Sequence, residues 1–262
     1  MKRTLFGASM ALGAVAAASS AAADSTPKAE APSLTVATEF RDYTDNRGDF
    51  HSATAELKLR GRQTTALIAP TVGERSLPGG DDTAFGVRGT LYVDWSPRFS
   101  TRTSLFDAED TPVFASLDIA QDFTLRVADK TTATLGLRWA EYFADQEVAF
   151  YSLGVRRYFE RGSLAYRLTR TEAEGGDGYY AHLASVSLHD RVGKGKTQLW
   201  LSAGETAPAN VQLNDTLSGG NVGAMLQRTQ PLWGDVALVA TAGVSSFESP
   251  WATTPERRWG LG

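Results

Sequence analysis

The sequence predicts an all-β chain: a single antiparallel up-and-down transmembrane β-barrel of about fourteen strands (12–14). Three observations predict it. From Ser33 onward, stretches of roughly ten residues alternate apolar with polar or small side chains, and turns rich in Gly, Pro, Asp and Asn separate them. The polar faces carry long charged side chains strand after strand, which leaves few residues for an aromatic–aliphatic core. Aromatic residues fall at the strand ends when the strands are run alternately up and down. A soluble sandwich or lipocalin-like barrel shares the alternation but turns its apolar face inward. A membrane barrel inverts it, with lipid outside and a polar lumen.

Composition narrows the classes further. The chain has 262 residues, no cysteine and a formal net charge of −4. That length suits one large β domain. Without cysteine there is no disulfide scaffold, thiolate zinc site, iron–sulfur cluster or lipidated N-terminal cysteine. An acidic balance argues against a nucleic-acid binder, which needs a basic face. No run of about 18 apolar residues reads as a membrane helix.

At the N-terminus, Met1, Lys2 and Arg3 precede a small apolar stretch, Leu5 to Ala18, and then Ala21-Ala22-Ala23. This is the layout of a signal peptide over 1–23, cleaved near Ala23. Losing Lys2 and Arg3 lowers the 26 basic residues to 24 against 30 acidic ones, a net of −6. Residues 24–32, with Pro27 and Pro32, read as a disordered leader. The barrel then occupies 33–262. Strands are expected near 34–44, 49–60, 64–75, 84–95, 99–107, 113–125, 131–142, 148–159, 163–172, 179–190, 196–206, 218–230, 235–247 and 256–262.

The alternation is plain in several of them. Phe85, Val87, Leu91, Val93 and Trp95 share one face, and Arg88, Thr90, Tyr92 and Asp94 the other. Val113, Ala115, Leu117, Ile119, Phe123 and Leu125 oppose Ser116, Asp118, Asp122 and Thr124, and Leu135, Leu137 and Trp139 oppose Thr134 and Arg138. Short turns (61–63, 96–98, 126–130, 160–162, 191–195, 231–234) fall on one rim. Longer connections (76–83, 173–178, 207–217, 248–255) fall on the other, as outer-membrane barrels have them. No loop is long enough to read as a constriction or plug. One aromatic belt gathers Trp95, Phe99, Phe123, Phe159 and Trp233. The other gathers Phe40, Phe50, Phe85, Tyr142, Phe143, Tyr151, Tyr180, Phe247 and Trp251.

Residues Val36-Ala37-Thr38-Glu39-Phe40-Arg41-Asp42-Tyr43 and a second strand opening Asp49-Phe50-His51-Ser52, followed by even hairpins without a plug domain, resemble the YaiO-type outer-membrane β-barrel family. The resemblance covers almost all of the chain beyond the signal peptide. It implies residence in the cell outer membrane of a Gram-negative envelope and no agreed activity, so it carries over no catalytic residue. Such barrels usually finish on a full strand with a terminal aromatic, whereas this chain stops at Arg258-Trp259-Gly260-Leu261-Gly262. The partners implied are outer-membrane lipid, lipopolysaccharide and the barrel assembly machinery.

Chemistry is sparse. A lipid-modifying barrel needs a His–Ser pair on its lipid-facing rim. Parity turns His51 and His182 outward, but Ser52 points inward and Ser185 has the opposite parity to His182; His189 faces the lumen. Asp81-Asp82, Glu109-Asp110 and Asp177 lie on outer loops, where divalent cations bridging lipopolysaccharide would bind, although such loops are usually only solvated. Gly175-Gly176-Asp177-Gly178 is a hairpin loop, because no helix follows it. No catalytic residue, metal site or cofactor is expected, and the chain does not read as an enzyme.

The lumen is the informative surface. Parity places Arg41, Lys58, Arg60, Arg88, Arg102, Arg138, Arg156, Arg167 and Arg258 inside, with Glu39, Glu56, Asp94, Asp118 and Asp122. Two readings compete. In the first, Arg–carboxylate pairs fill the interior of a structural or surface-exposed barrel and fix its register. In the second, the surplus of arginine lines a diffusion channel favouring small anionic solutes or acidic sugars. A lipid-modifying hydrolase ranks third.

Overall fold

The computed structural model describes residues 9–17, 32–42, 49–77, 79–143, 146–173, 178–191, 195–206, 218–233 and 236–248. Its strands are β1 (Ser9–Ala17), β2 (Ser33–Asp42), β3 (Asp49–Arg60), β4 (Thr64–Leu77), β5 (Gly80–Ser96), β6 (Phe99–Ala108) and β7 (Leu117–Ala128), followed by β8 (Thr131–Tyr142), β9 (Gln146–Phe159), β10 (Gly162–Ala173), β11 (Tyr179–His189), β12 (Lys196–Thr206), β13 (Ser218–Pro231) and β14 (Val236–Glu248). From β2 to β14 each strand pairs antiparallel with the next, and β1 pairs with both β14 and β2 to close the ring. Among the described residues no helix is long and apolar enough to cross a membrane.

Successive side chains point to opposite faces of a strand, so the two walls of the ring separate by parity. The outer wall is apolar: Leu135 on β8 is 49% exposed, as are many leucines and valines on its neighbours. The inner wall holds charge: Asp118 on β7 is 3% exposed. A continuous apolar outer surface is untenable in water and natural in lipid, which also requires a ring without open edges. Cross-strand hydroxyl pairs on the inner face, such as Thr90 with Ser104 (3.1 Å) and Thr124 with Thr134 (3.0 Å), bind neighbouring strands without long side chains.

Several sequence expectations change. The hairpin expected to open over 76–83 is tight: β4 runs to Leu77 and pairs it with Gly80, whose φ of +142° only glycine adopts without strain. Asp81 and Asp82 therefore lie on β5 rather than on a loop. The strand expected from residue 113 begins at Leu117, because residues 109–116 leave the wall and fold inward. Phe50 and Tyr142, assigned to the outer aromatic belt, instead share the inward parity of Ser52 and Arg138. Phe50 is buried there.

Among the described residues the ring counts fourteen strands because β1 is one of them. Beside β2 and β14 stands β1, drawn from the apolar run read as the core of an export signal. The strand expected at 256–262, with Arg258, and the belt residue Trp251 lie outside the described residues. β2 and β14 run parallel to each other, and β1 stands between them antiparallel to both.

Candidate functional site: an arginine wall in the lumen

The inner faces of β5 to β10 gather charge through register. Arg102 on β6 stands directly opposite Asp122 on β7, with Nη1 to Oδ2 at 3.5 Å. Asp122 also pairs with Arg167 on β10, at 3.7 Å, across two intervening strands. Gly136 on β8 clears that path, because a side chain there would collide with Asp122 and Ser152.

Closer to the long-loop rim the same arrangement recurs. Arg138 on β8 donates through Nε to Asp118 Oδ1 at 2.8 Å and through a terminal nitrogen to Oδ2 at 2.9 Å. This is a bidentate fork of the kind that favours Arg over Lys. Arg88 on β5 lies 3.5 Å from the same carboxylate. Each of two buried or half-buried carboxylates is thus shared by two arginines. Four guanidinium groups meet two carboxylates, and the wall keeps a positive excess.

The arginines also lie on aromatic rings. Arg41, Arg88 and Arg138 stand 4.9, 4.6 and 4.8 Å over Phe50, Phe106 and Phe150, respectively. In each case the two residues are direct partners on neighbouring strands. A ring face attracts the cation while holding its stem flat against the wall. The repeated Arg–Phe pairing belongs to register, and reading the strands one at a time misses it.

At the long-loop end the lumen is narrowed. Residues 109–116, between β6 and β7, bury Val113, Phe114 and Ala115. Phe114 packs edge-on against Phe50 and Phe106, with centroids 6.0 and 5.7 Å away. A Cβ at Gly73 on β4 would stand 3.0 Å from Val113 and run into the Phe114 ring, so the glycine makes the seat for this turn. Arg75 donates to the Pro112 carbonyl at 3.0 Å, and Glu109 accepts from the Phe85 amide at 2.9 Å. The expectation that no loop constricts the lumen is therefore corrected. A short turn suffices when its residues are apolar and the wall beneath them is glycine.

Of the other expected lumen residues, Glu39 and Arg41 pair on β2 at 2.6 Å. Glu56 and Lys58 on β3 share the inward parity of Thr54, and Arg60 and Asp94 the same face nearer the short-turn rim, where both are exposed. Arg156 on β9 donates to Ser163 at 3.2 Å. On the outer wall, Trp95, Phe123, Phe159 and Trp233 are exposed at the short-turn rim, and Phe40, Phe85, Phe143, Tyr151 and Tyr180 toward the other. Phe99 is half-buried. His182 meets Tyr166 at 2.7 Å rather than a serine, and His51 meets the edge of Phe40. Among the described residues no group of three or more His, Asp or Glu is placed to hold a metal ion. Asp177 lies outside them.

A family described as the YaiO membrane beta barrel domain matches residues 32–207. The chain belongs to that family. Solved structures that the chain matches include a bacterial polysaccharide outer membrane secretin, at 9% identity over 91% of this chain and 97% of the other, with a TM-score of 0.45. Pseudomonas aeruginosa OccK5 (OpdH) matches at 8% identity over 98% and 95%, with a TM-score of 0.40. Salmonella typhi OmpF, in complex with daunomycin, matches at 7% over 91% and 96%, with a TM-score of 0.39. With the family match and the inverted polarity of its walls, the protein is an outer-membrane β-barrel.

Proposed function

We propose that this YaiO-family barrel is a narrow passive pathway of the outer membrane that favours small anionic solutes, acidic sugars among them. One observation carries the reading: Asp118 and Asp122 each serve two arginines, so the wall is over-supplied with positive charge where the lumen is lined. A low-dielectric wall of one sign raises the local concentration of the opposite ion. The side chains of Arg167 and Arg88, 30% and 23% exposed, keep part of that charge open to the lumen. The reading includes no chemical step and no bound metal or cofactor. It assumes export through the signal at 1–23, insertion by the barrel assembly machinery, and a belt in contact with lipid and lipopolysaccharide.

Planar-bilayer recording under a potassium chloride gradient tests it. Stable current steps should reverse at a potential of the sign that marks chloride preference, and Arg88→Glu or Arg167→Glu should shift that potential toward zero or past it. The second reading is a closed structural barrel, which the inward fold of residues 109–116 favours. It predicts no current steps from protein that is folded by gel mobility.

A further inference from the structure

Two lumen-facing cations stand apart from the paired wall. Arg156 on β9 and Lys196 on β12 both face inward near the short-turn rim, the rim that faces the periplasm in outer-membrane barrels. Between them lie two hydroxyls in direct register, Ser163 on β10 and Ser187 on β11, 5% and 7% exposed. Arg156 leans over this floor to donate to Ser163. Lys196 lies on the same face of β12 as Gln198, the direct partner of Ser187. His189, the direct partner of Lys196, shares its face. No carboxylate among the described residues forms an ion pair with either cation. Asp190 is taken by Arg228, at 2.8 Å, and Glu160 sits in the β9–β10 turn without a salt bridge.

Elsewhere on the inner wall Arg41, Arg88, Arg102, Arg138 and Arg167 have each found a carboxylate or a ring. Here two like charges are drawn over two buried hydroxyls, a set that matches a small oxyanion: guanidinium, ammonium and O–H groups all donate. We propose that Arg156 and Lys196, floored by Ser163 and Ser187, form a subsite for a phosphate-sized oxyanion at the short-turn mouth. The subsite deepens the anion-pathway reading and rests on it for its role in transport, though not for its binding.

The test uses the full-length protein in detergent, with inorganic phosphate titrated against constant chloride and followed by phosphorus NMR line width. Wild type should bind phosphate, and Arg156→Gln and Lys196→Gln should each weaken it fivefold or more while keeping the heat-sensitive gel mobility of a folded barrel. Binding unchanged in both variants, or no phosphate binding by wild type, overturns the subsite. A bilayer arm separates the two ideas. Phosphate binding without any current keeps the subsite and removes the pathway. Chloride-selective current that phosphate neither blocks nor alters removes the subsite alone.

Discussion

Asp118 anchors one of the two arginine clusters of the inner wall. It is 3% exposed, receives both arms of Arg138 and stands 3.5 Å from Arg88. Removing one member of a buried ionic network costs about 3–5 kcal/mol, because the remaining charges lose their partner. Asp118→Asn should therefore lower the folding free energy in lipid by about that amount, read from denaturant titration of the heat-sensitive gel band. A loss below about 1 kcal/mol, the size of an exposed pair, would mean that lumen water already screens this cluster. The same substitution removes a negative charge from the pathway, so whatever folds should prefer chloride more strongly than wild type. Asp190 behaves differently, because it lies beyond the end of β11 in solvent. Hydrogen bonds from Arg228 hold its carboxyl below the usual carboxylate range. A depressed folded value stabilises above the unfolded pKa, near 3.9, and the contribution fades as pH falls through the folded one. Asp190→Asn should therefore lower stability at neutral pH and leave it little changed well below pH 4, so that the acid limb flattens, as thermal unfolding below and above pH 4 would record.

At the scale of single elements, β8 offers a direct check on polarity. Leu135 faces outward between Phe123 and Leu153, its partners on β7 and β9, while Thr134 next to it faces the lumen against Thr124. Leu135→Arg should cost about 2–4 kcal/mol, the price of an arginine near the bilayer midplane, whereas Thr134→Arg should cost much less. Equal losses would contradict a lipid-facing outer wall. Much of this wall was legible in the sequence: Arg88, Arg138, Asp118 and Asp122 all share the inner face that period-two parity assigns them. The turn at 109–116 was not. Val113 and Ala115 extend the apolar series of Leu117 and Ile119, and an apolar residue facing lipid looks the same in sequence as one buried in a lumen. Only the glycine at position 73, forty residues away, marks the seat. Gly73→Val should push Phe114 off that seat and loosen the turn so that a glutamate-specific protease cuts faster at the already exposed Glu109, and in a conducting barrel it should raise the single-channel current. Tyr142 misled for a related reason. An aromatic at a strand end reads as a belt residue, but its parity follows Arg138 into the interior.

For the whole molecule, the decisive place is the seam between β2 and β14. An open seam in lipid leaves two rows of backbone amides and carbonyls unsatisfied, each at a cost of several kcal/mol, so a folded barrel must keep it occupied. In the structure β1 occupies it, with Gly13 opposite both Ala37 on β2 and Val239 on β14. The same residues have the layout of a cleavable export signal, and both roles cannot hold in one mature chain. Cleavage near Ala23 removes β1 and obliges the seam to be filled by another strand or closed by direct parallel pairing of β2 with β14. The export reading predicts an intact mass beginning near Asp24 for protein extracted from outer membranes, with gel mobility that still changes on heating. Under it, a Gly13→Cys, Ala37→Cys variant forms no cross-link in the finished barrel. A mass that retains residues 1–23, together with an efficient cross-link between those two cysteines, would make β1 a permanent stave of the wall and remove the signal peptide from the account.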